Sequence, residues 1–165
     1  MRALFQTKPV HAFDPQGEPM KHIRTEALIP AAPARIWSVL ADFARYSEWN
    51  PLNIAAVGDP VLGAKVRMVF LNPAKLGSVI TQTVTVTTFE PGRALAWSGS
   101  VPLLFKGRHH FTLTPEGDGC RLLHGEDMGG LIAAGFSDQQ IERDFLPHYE
   151  ATNIALAKRV AALAD

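Results

Sequence analysis

Three residues in two neighbouring strand-like segments, His109, His124 and Glu126, have side chains suited to acid–base chemistry. The four residues 116–119 include two glycines and an aspartate, which is typical of a hairpin connection between antiparallel strands. Counting outward from that turn places His109 opposite Glu126, and His124 opposite Phe111. All four side chains then share one face of the hairpin, and the apolar residues of the same parity predict that this face is buried.

Directly opposed residues in such a hairpin have Cβ atoms about 4.5–5.5 Å apart, which is close enough for a hydrogen bond between His109 and Glu126. The carboxylate would hold one imidazole nitrogen and leave the other free to anchor or protonate a carbonyl or hydroxyl group of a ligand. Two further interpretations stay open. The group is a satisfied buried polar pair that orders the core, or the two histidines and the carboxylate bind iron or zinc.

The composition excludes several classes of protein. The 165 residues fit one domain, and 16 basic against 16 acidic side chains give no net charge, which disfavours binding to nucleic acid. Cys120 is the single cysteine, so neither an internal disulfide nor a thiolate metal cluster can form. The sequence has no phosphate-binding glycine loop and no hydrolase nucleophile motif. We therefore expect a cytoplasmic protein with no metal, no other cofactor and no segment inserted into a membrane.

Seven segments carry the period-two pattern of strands, bounded by turn residues. The short turns between the last six favour antiparallel hairpins over crossover connections. The seven segments are 21–29, 52–57, 65–71, 78–90, 94–101, 107–115 and 120–128.

Helical patterns occupy the other parts of the chain. A helix that opens with a proline is predicted over 33–42, and a second short helix or turn over 44–49. A long amphipathic helix is predicted over 138–163, capped by Ser137 and kinked near Pro147. Its apolar stripe consists of Phe145, Tyr149, Thr152, Leu156, Val160 and Leu163.

This order of elements predicts one α+β domain over 20–165, preceded by an extension over 1–19. Prolines and a glycine interrupt the extension, which is either a loose segment or an arm that packs on the domain or on a partner. A curved antiparallel sheet of seven strands needs an element to cover its concave face, and the long C-terminal helix is the large element available. Strand parity and helical phase predict a cavity between sheet and helix, lined by Val66, Met68, Phe70, Trp97, Phe111, Leu113, Leu122, Phe145, Tyr149 and Thr152.

Six short segments occur in a distinctive order along the chain. They are Ala32-Pro33-Ala34-Arg35-Ile36-Trp37, Trp49-Asn50-Pro51, Pro91-Gly92-Arg93-Ala94-Leu95-Ala96-Trp97, His109-His110-Phe111, His124-Gly125-Glu126 and Tyr149-Glu150-Ala151-Thr152-Asn153-Ile154-Ala155-Leu156. Together they resemble the SRPBCC superfamily, which includes START domains, birch-pollen-allergen-like proteins and bacterial polyketide cyclase/dehydratase-like proteins. The resemblance implies a helix-grip fold, in which a seven-stranded curved sheet surrounds the C-terminal helix above a cavity for apolar or aromatic molecules. It does not supply a reaction, because one fold of this kind hosts carriers, receptors and enzymes.

Three functions fit this fold, and the residues leave the choice among them open. The first is a carrier or binding protein for a hydrophobic or aromatic small molecule, which needs only an apolar cavity with a few polar anchors. The second is a cyclase- or dehydratase-type enzyme that uses His109, Glu126 and His124 as its acid–base group. The third is a protein-interaction module that uses the rim of the groove and the N-terminal extension. A homodimer is compatible with each of them.

Overall fold

The structure is a computed structural model that describes residues 12–13 and 19–163. Its strands are β1 (Ala12–Phe13), β2 (Pro19–Ile29), β3 (Asn53–Val57), β4 (Lys65–Leu71), β5 (Val79–Glu90), β6 (Ala94–Val101), β7 (Phe105–Glu116) and β8 (Gly119–Gly129). They form one sheet in the order β1-β2-β8-β7-β6-β5-β4-β3, and each strand is antiparallel to its neighbours.

The seven predicted strands are confirmed as β2 to β8. β7 and β8 run past their predicted ends, because their pairing continues from the pair Glu116 and Gly119 to the pair Lys106 and Gly129. The prediction for the extension over 1–19 lies almost entirely outside the described residues. Within the described part, β1 pairs with the first two residues of β2.

Strands β2 and β3 lie at opposite edges of the seven-stranded part of the sheet, and two short helices connect them. They are α1 (Pro33–Leu40) and α2 (Tyr46–Trp49), separated by a 3₁₀ turn over Phe43–Arg45. The first helix therefore ends two residues before its predicted end at residue 42.

A further helix, α3 (Leu131–Ala134), follows β8 and has no counterpart in the predicted elements. The chain leaves β8 at Gly130, which has a φ of 90° and lies so close to the β6–β7 turn that a Cβ there would be 2.8 Å from the carbonyl oxygen of Leu104. Both features require glycine, because L side chains rarely adopt that backbone conformation.

The C-terminal helical region consists of α4 (Asp138–Gln140), a π-helical turn over Ile141–Phe145 and α5 (Leu146–Ala161). The Ser137 hydroxyl accepts a hydrogen bond from the Gln140 backbone N–H at 3.1 Å, which confirms the predicted cap. The π-helical turn lies directly before Pro147, whose ring would clash with the carbonyl of Arg143 in a regular α-helix. The wider turn relieves that clash and accounts for the predicted irregularity.

The buried face of α5 carries Tyr149, Thr152, Asn153, Leu156 and Val160, which follow the predicted spacing of three and four residues. The helix packs against β2, β8 and α1. The predicted helix-grip architecture is thereby confirmed, with the C-terminal helix in the concavity of the curled sheet.

Aromatic side chains from the segment after α1 fill one end of the concave face. Phe43 and Tyr46 are at most 1% exposed and pack edge to face, with ring centres 5.1 Å apart. The Phe43 ring also lies 5.8 Å from Trp97 of β6, and the Tyr46 hydroxyl donates a hydrogen bond to the Leu40 carbonyl at 2.7 Å. We call Phe43 and Tyr46 the aromatic plug. Because the plug fills this end of the sheet, any cavity must lie towards the other end.

The plug predicts a large loss of stability on truncation. We expect Phe43→Ala to lower the free energy of unfolding by about 3–5 kcal/mol, because it removes a buried ring and leaves a void. Urea denaturation measures this change. The control Leu103→Ala removes a side chain that is 90% exposed and should stay within about 0.5 kcal/mol of the wild type. Equal losses in the two variants would contradict the role given to the plug.

Candidate functional site

The β7–β8 hairpin has the register that the sequence predicts. Leu113 pairs with Leu122, Phe111 with His124, and His109 with Glu126. His109 and His124 are 3% and 0% exposed, and the Glu126 side chain is 20% exposed. The three residues proposed for acid–base chemistry therefore lie together on the concave face.

A chain of hydrogen bonds connects His124 to the long helix and to β2. The Thr25 hydroxyl donates to the carbonyl oxygen of His124 at 2.8 Å, so its oxygen accepts a hydrogen bond from Asn153 Nδ2 at 2.9 Å. The Asn153 amide oxygen then faces His124 Nδ1 at 2.7 Å. An amide oxygen can only accept, so Nδ1 of His124 carries a proton.

The same hydrogen bonds determine which nitrogen of His109 donates to His124. Burial, followed by the proximity of His109, lowers the pKa of His124 well below 6.5, so the ring is neutral and its Nε2 is a bare acceptor. His109 Nε2 lies 2.8 Å from that atom and must therefore donate to it. The nitrogen of His109 that remains, Nδ1, lies 3.7 Å from Glu126 Oε2, which is beyond hydrogen-bond distance.

Tyr149 of α5 completes the group. Its hydroxyl donates a hydrogen bond to Glu126 Oε2. Burial and the neighbouring Glu126 carboxylate raise the pKa of Tyr149 well above 10, so the phenol keeps its proton. His109, Glu126 and Tyr149 therefore meet at one place, and we call these three residues the polar triad.

Aromatic packing holds the rings of this region in position. His109 is stacked on Trp97 with ring centres 4.8 Å apart and planes 4° apart, and its ring centre lies 5.4 Å from that of Tyr149. His124 is stacked on Phe111 at 4.3 Å. Since both faces of the His109 ring are covered, its nitrogens can interact only through the ring edge.

The polar triad forms the inner wall of a cavity of about 400 Å³ between the sheet and the N-terminal part of the C-terminal helical region. The other lining residues are mostly apolar and come from the residue before β3, the β4–β5 and β6–β7 hairpins, β8, α3 with the loop after it, and the π-helical turn. They are Leu52, Phe70, Leu71, Asn72, Pro73, Ala74, Ile80, Thr81, Gln82, Val101, Phe105, Met128, Ile132, Phe136 and Phe145.

The cavity includes only part of the lining predicted from strand parity. Phe70, Phe145 and Tyr149 line it, and Trp97 lines an adjoining void of about 20 Å³ that also touches His109. The other six predicted lining residues point inward but are buried in the core and are not among the described lining residues. These six are Val66, Met68, Phe111, Leu113, Leu122 and Thr152.

Sequence reasoning did not assign a role to Asn153 or Thr25, although both hold His124 in place. A signal for Asn153 was available, because it follows Tyr149 by four residues and so shares its face of the helix. Thr25 pairs with His124 across β2 and β8, a pairing between segments about 100 residues apart that no hairpin turn specifies.

Other predicted features lie away from the cavity. Arg108 and Arg121, predicted on the outer face, have side chains that are 45% and 47% exposed, and Arg121 pairs with Glu116 and Glu26. Cys120 is a buried free thiol at the start of β8.

Within residues 19–163, no group of three histidine, cysteine or carboxylate side chains is arranged to hold a metal ion. No helix in the same range is long and apolar enough to cross a membrane.

Comparisons with solved structures confirm the helix-grip fold. The protein TTHA0849 from Thermus thermophilus superposes with a TM-score of 0.70 at 16% identity, over 87% of this chain and 99% of that chain. The aromatase/cyclase Zhui from Streptomyces sp. R1128 gives 0.67 at 18% identity, over 86% and 94%. Ara h 8.0201 gives 0.66 at 11% identity, over 87% and 99%.

The chain belongs to the family described as polyketide cyclase/dehydrase and lipid transport, whose model matches residues 20–161. Membership confirms the resemblance to the SRPBCC superfamily. No curated protein matches the chain in sequence. Family and fold together indicate either binding of a hydrophobic ligand or a role similar to that of polyketide cyclases.

Two neutral buried histidines predict how stability depends on pH. Burial, followed by Arg24, lowers the pKa of His110 to about 3, in the same direction as that of His124. Below about pH 6.5 the unfolded chain takes up protons on both residues that the folded protein does not, so the free energy of unfolding falls as the pH falls, by about 1 kcal/mol per pH unit for each histidine.

Urea denaturation at a series of pH values measures this slope. His110→Asn removes one of the two groups and should make the slope shallower between about pH 6 and 4.5. An unchanged slope in this variant would show that His110 does not resist protonation in the folded protein.

Proposed function

We propose that this protein binds an apolar or aromatic small molecule in the cavity, with a polar group of the ligand at the polar triad. The observation that carries the proposal is the shape of the site, an apolar cavity that closes on three convergent polar side chains. Small-molecule sites typically combine about 300–1,000 Å³ of mostly apolar space with a few placed polar groups, and the volume here lies in that range.

The rim of the cavity supports the same proposal. Ile80, Val101 and Ile132 lie at the opening and are 44%, 46% and 48% exposed. Half-exposed branched apolar side chains around an opening favour the entry of an apolar molecule. When no such molecule is bound, these side chains stay partly exposed to water. The likeness to an aromatase/cyclase also makes an aromatic ligand a reasonable first choice.

A second function, acid–base catalysis, is favoured by one specific observation. The hydrogen-bond chain from Thr25 to His109 leaves Nδ1 as the one ring nitrogen of His109 that can exchange a proton with a bound molecule. Glu126 lies beside that nitrogen and could stabilise the imidazolium that forms. The same geometry also serves a carrier, since an anchoring hydrogen bond needs no proton transfer.

Native mass spectrometry of the protein purified from its own host tests the binding proposal. We expect one apolar molecule per chain in the wild type, and its loss in Ile80→Trp, because the larger ring projects from the concave face of β5 into the cavity. Thr83→Trp is the matched control, since Thr83 lies on the same strand, is exposed and lines the outer face. A bound molecule that persists in Ile80→Trp would place the ligand elsewhere.

The mass of the bound molecule also separates the carrier from the enzyme. We expect His109→Ala protein to retain the same compound as the wild type, because a carrier returns its ligand unchanged. A compound that differs between the two proteins by the mass of a water molecule would instead establish catalysis, and so would a compound of equal mass but different chromatographic retention, because ring closure without loss of water leaves the mass unchanged. In that case the loss of His109 should slow turnover by about 100-fold or more.

A further inference from the structure

The protons at the inner end of the cavity determine which ligands the site can accept. The Tyr149 hydroxyl donates its hydrogen to Glu126, and His109 Nε2 donates to His124. Neither hydrogen is available to a ligand. What the polar triad itself offers a bound molecule is the Glu126 carboxylate, the oxygen lone pairs of Tyr149 and, in the neutral ring, the lone pair of His109 Nδ1. The polar triad therefore presents acceptors to the cavity.

The Glu126 carboxylate offsets any positive charge that His109 could carry. With His109 neutral, the Glu126 carboxylate gives the site one negative charge. With His109 protonated, the two charges face each other at 3.7 Å and cancel. None of the described residues that line the cavity is a lysine or an arginine, so no other side chain there supplies positive charge. An anionic ligand would lose its hydration without gaining a counter-charge.

We infer that the inner end of the cavity selects a neutral ligand that carries a hydroxyl group, as a phenol or an alcohol does, and rejects carboxylates and other anions. The hydroxyl hydrogen is donated to the Glu126 carboxylate or to His109 Nδ1, and the apolar body of the ligand lies towards Phe70, Phe105 and Phe145. This inference rests on the proposed function and specifies its ligand class.

Three probes of the same ring system test the selection, namely naphthalene, a naphthol and the corresponding naphthoate. Isothermal titration calorimetry near neutral pH measures their dissociation constants with the wild-type protein. We expect the naphthol to bind at least about tenfold more tightly than naphthalene, because it adds a hydrogen bond to a charged acceptor. We expect the naphthoate to bind at least about tenfold more weakly than the naphthol, because its negative charge meets that of Glu126 with no positive side chain in the lining.

The variant Glu126→Gln removes the charge and keeps the shape of the side chain. It should strengthen binding of the naphthoate by about tenfold and weaken binding of the naphthol. The two dissociation constants should therefore become more similar. The control Glu90→Gln changes a carboxylate at the β5–β6 turn that is 51% exposed, and should leave all three constants unchanged.

The probes distinguish failure of the inference from failure of the proposed function. If naphthalene and naphthol bind but the naphthoate binds as tightly as the naphthol, the selection for neutral hydroxyl compounds is wrong and the cavity remains a ligand site. If none of the three binds, the proposed function fails for aromatic ligands of this size and the inference fails with it. The wild-type comparison alone decides this, so it does not depend on the stability of Glu126→Gln.

Discussion

The pairing of β7 with β8 is the constraint on which the rest of the site depends. Side chains alternate between the two faces of a strand, so a shift of one residue in this pairing would place His124 and Glu126 on the face opposite to His109. The turn at Gly117, which has a φ of 58°, sets the register from one side. On the other side β2 approaches β8 so closely that a Cβ at Gly125 would collide with the carbonyl oxygen of Ile23.

The buried hydrogen bonds from Thr25 to His109 connect α5 to β2, β8 and β7, and apolar packing alone would leave the helix free to slide along the sheet. Apolar contacts carry little directional information, whereas each of these bonds has a defined donor and a defined acceptor. Asn153 bridges β2 and β8 from the long helix, so the position of α5 along the sheet is fixed to within one helical turn. That position brings Tyr149 to Glu126, and the orientation of the polar triad follows from the packing of the helix.

Local patterns in the sequence were sufficient to predict the seven strands, the long helix and the part of the site that lies on the β7–β8 hairpin. Period-two segments and short turns predict the strands, and counting from the 116–119 turn predicts the pairing of His109 with Glu126. The alternation of side chains along a strand predicts which residues face inward. It does not predict which of these line the cavity and which pack against other side chains. Met68 and Leu122 face inward as predicted but lie in the core cluster that contains the aromatic plug, whose placement depends on long-range packing. Thr25 was missed for a related reason, since its partner strand is distant in sequence.

The aromatic plug fills the space beyond the polar triad with side chains from a single short segment. Phe43 and Tyr46 lie behind Trp97, which in turn covers one face of His109. Tyr46 satisfies its own hydroxyl within the same segment, so smaller residues at these two positions would leave no polar group of the sheet unpaired. Such a change would open apolar space behind Trp97 and leave the polar triad in place. The volume beyond the cavity and the polar groups at its inner end therefore come from different segments of the chain, and one can change in evolution while the other is kept.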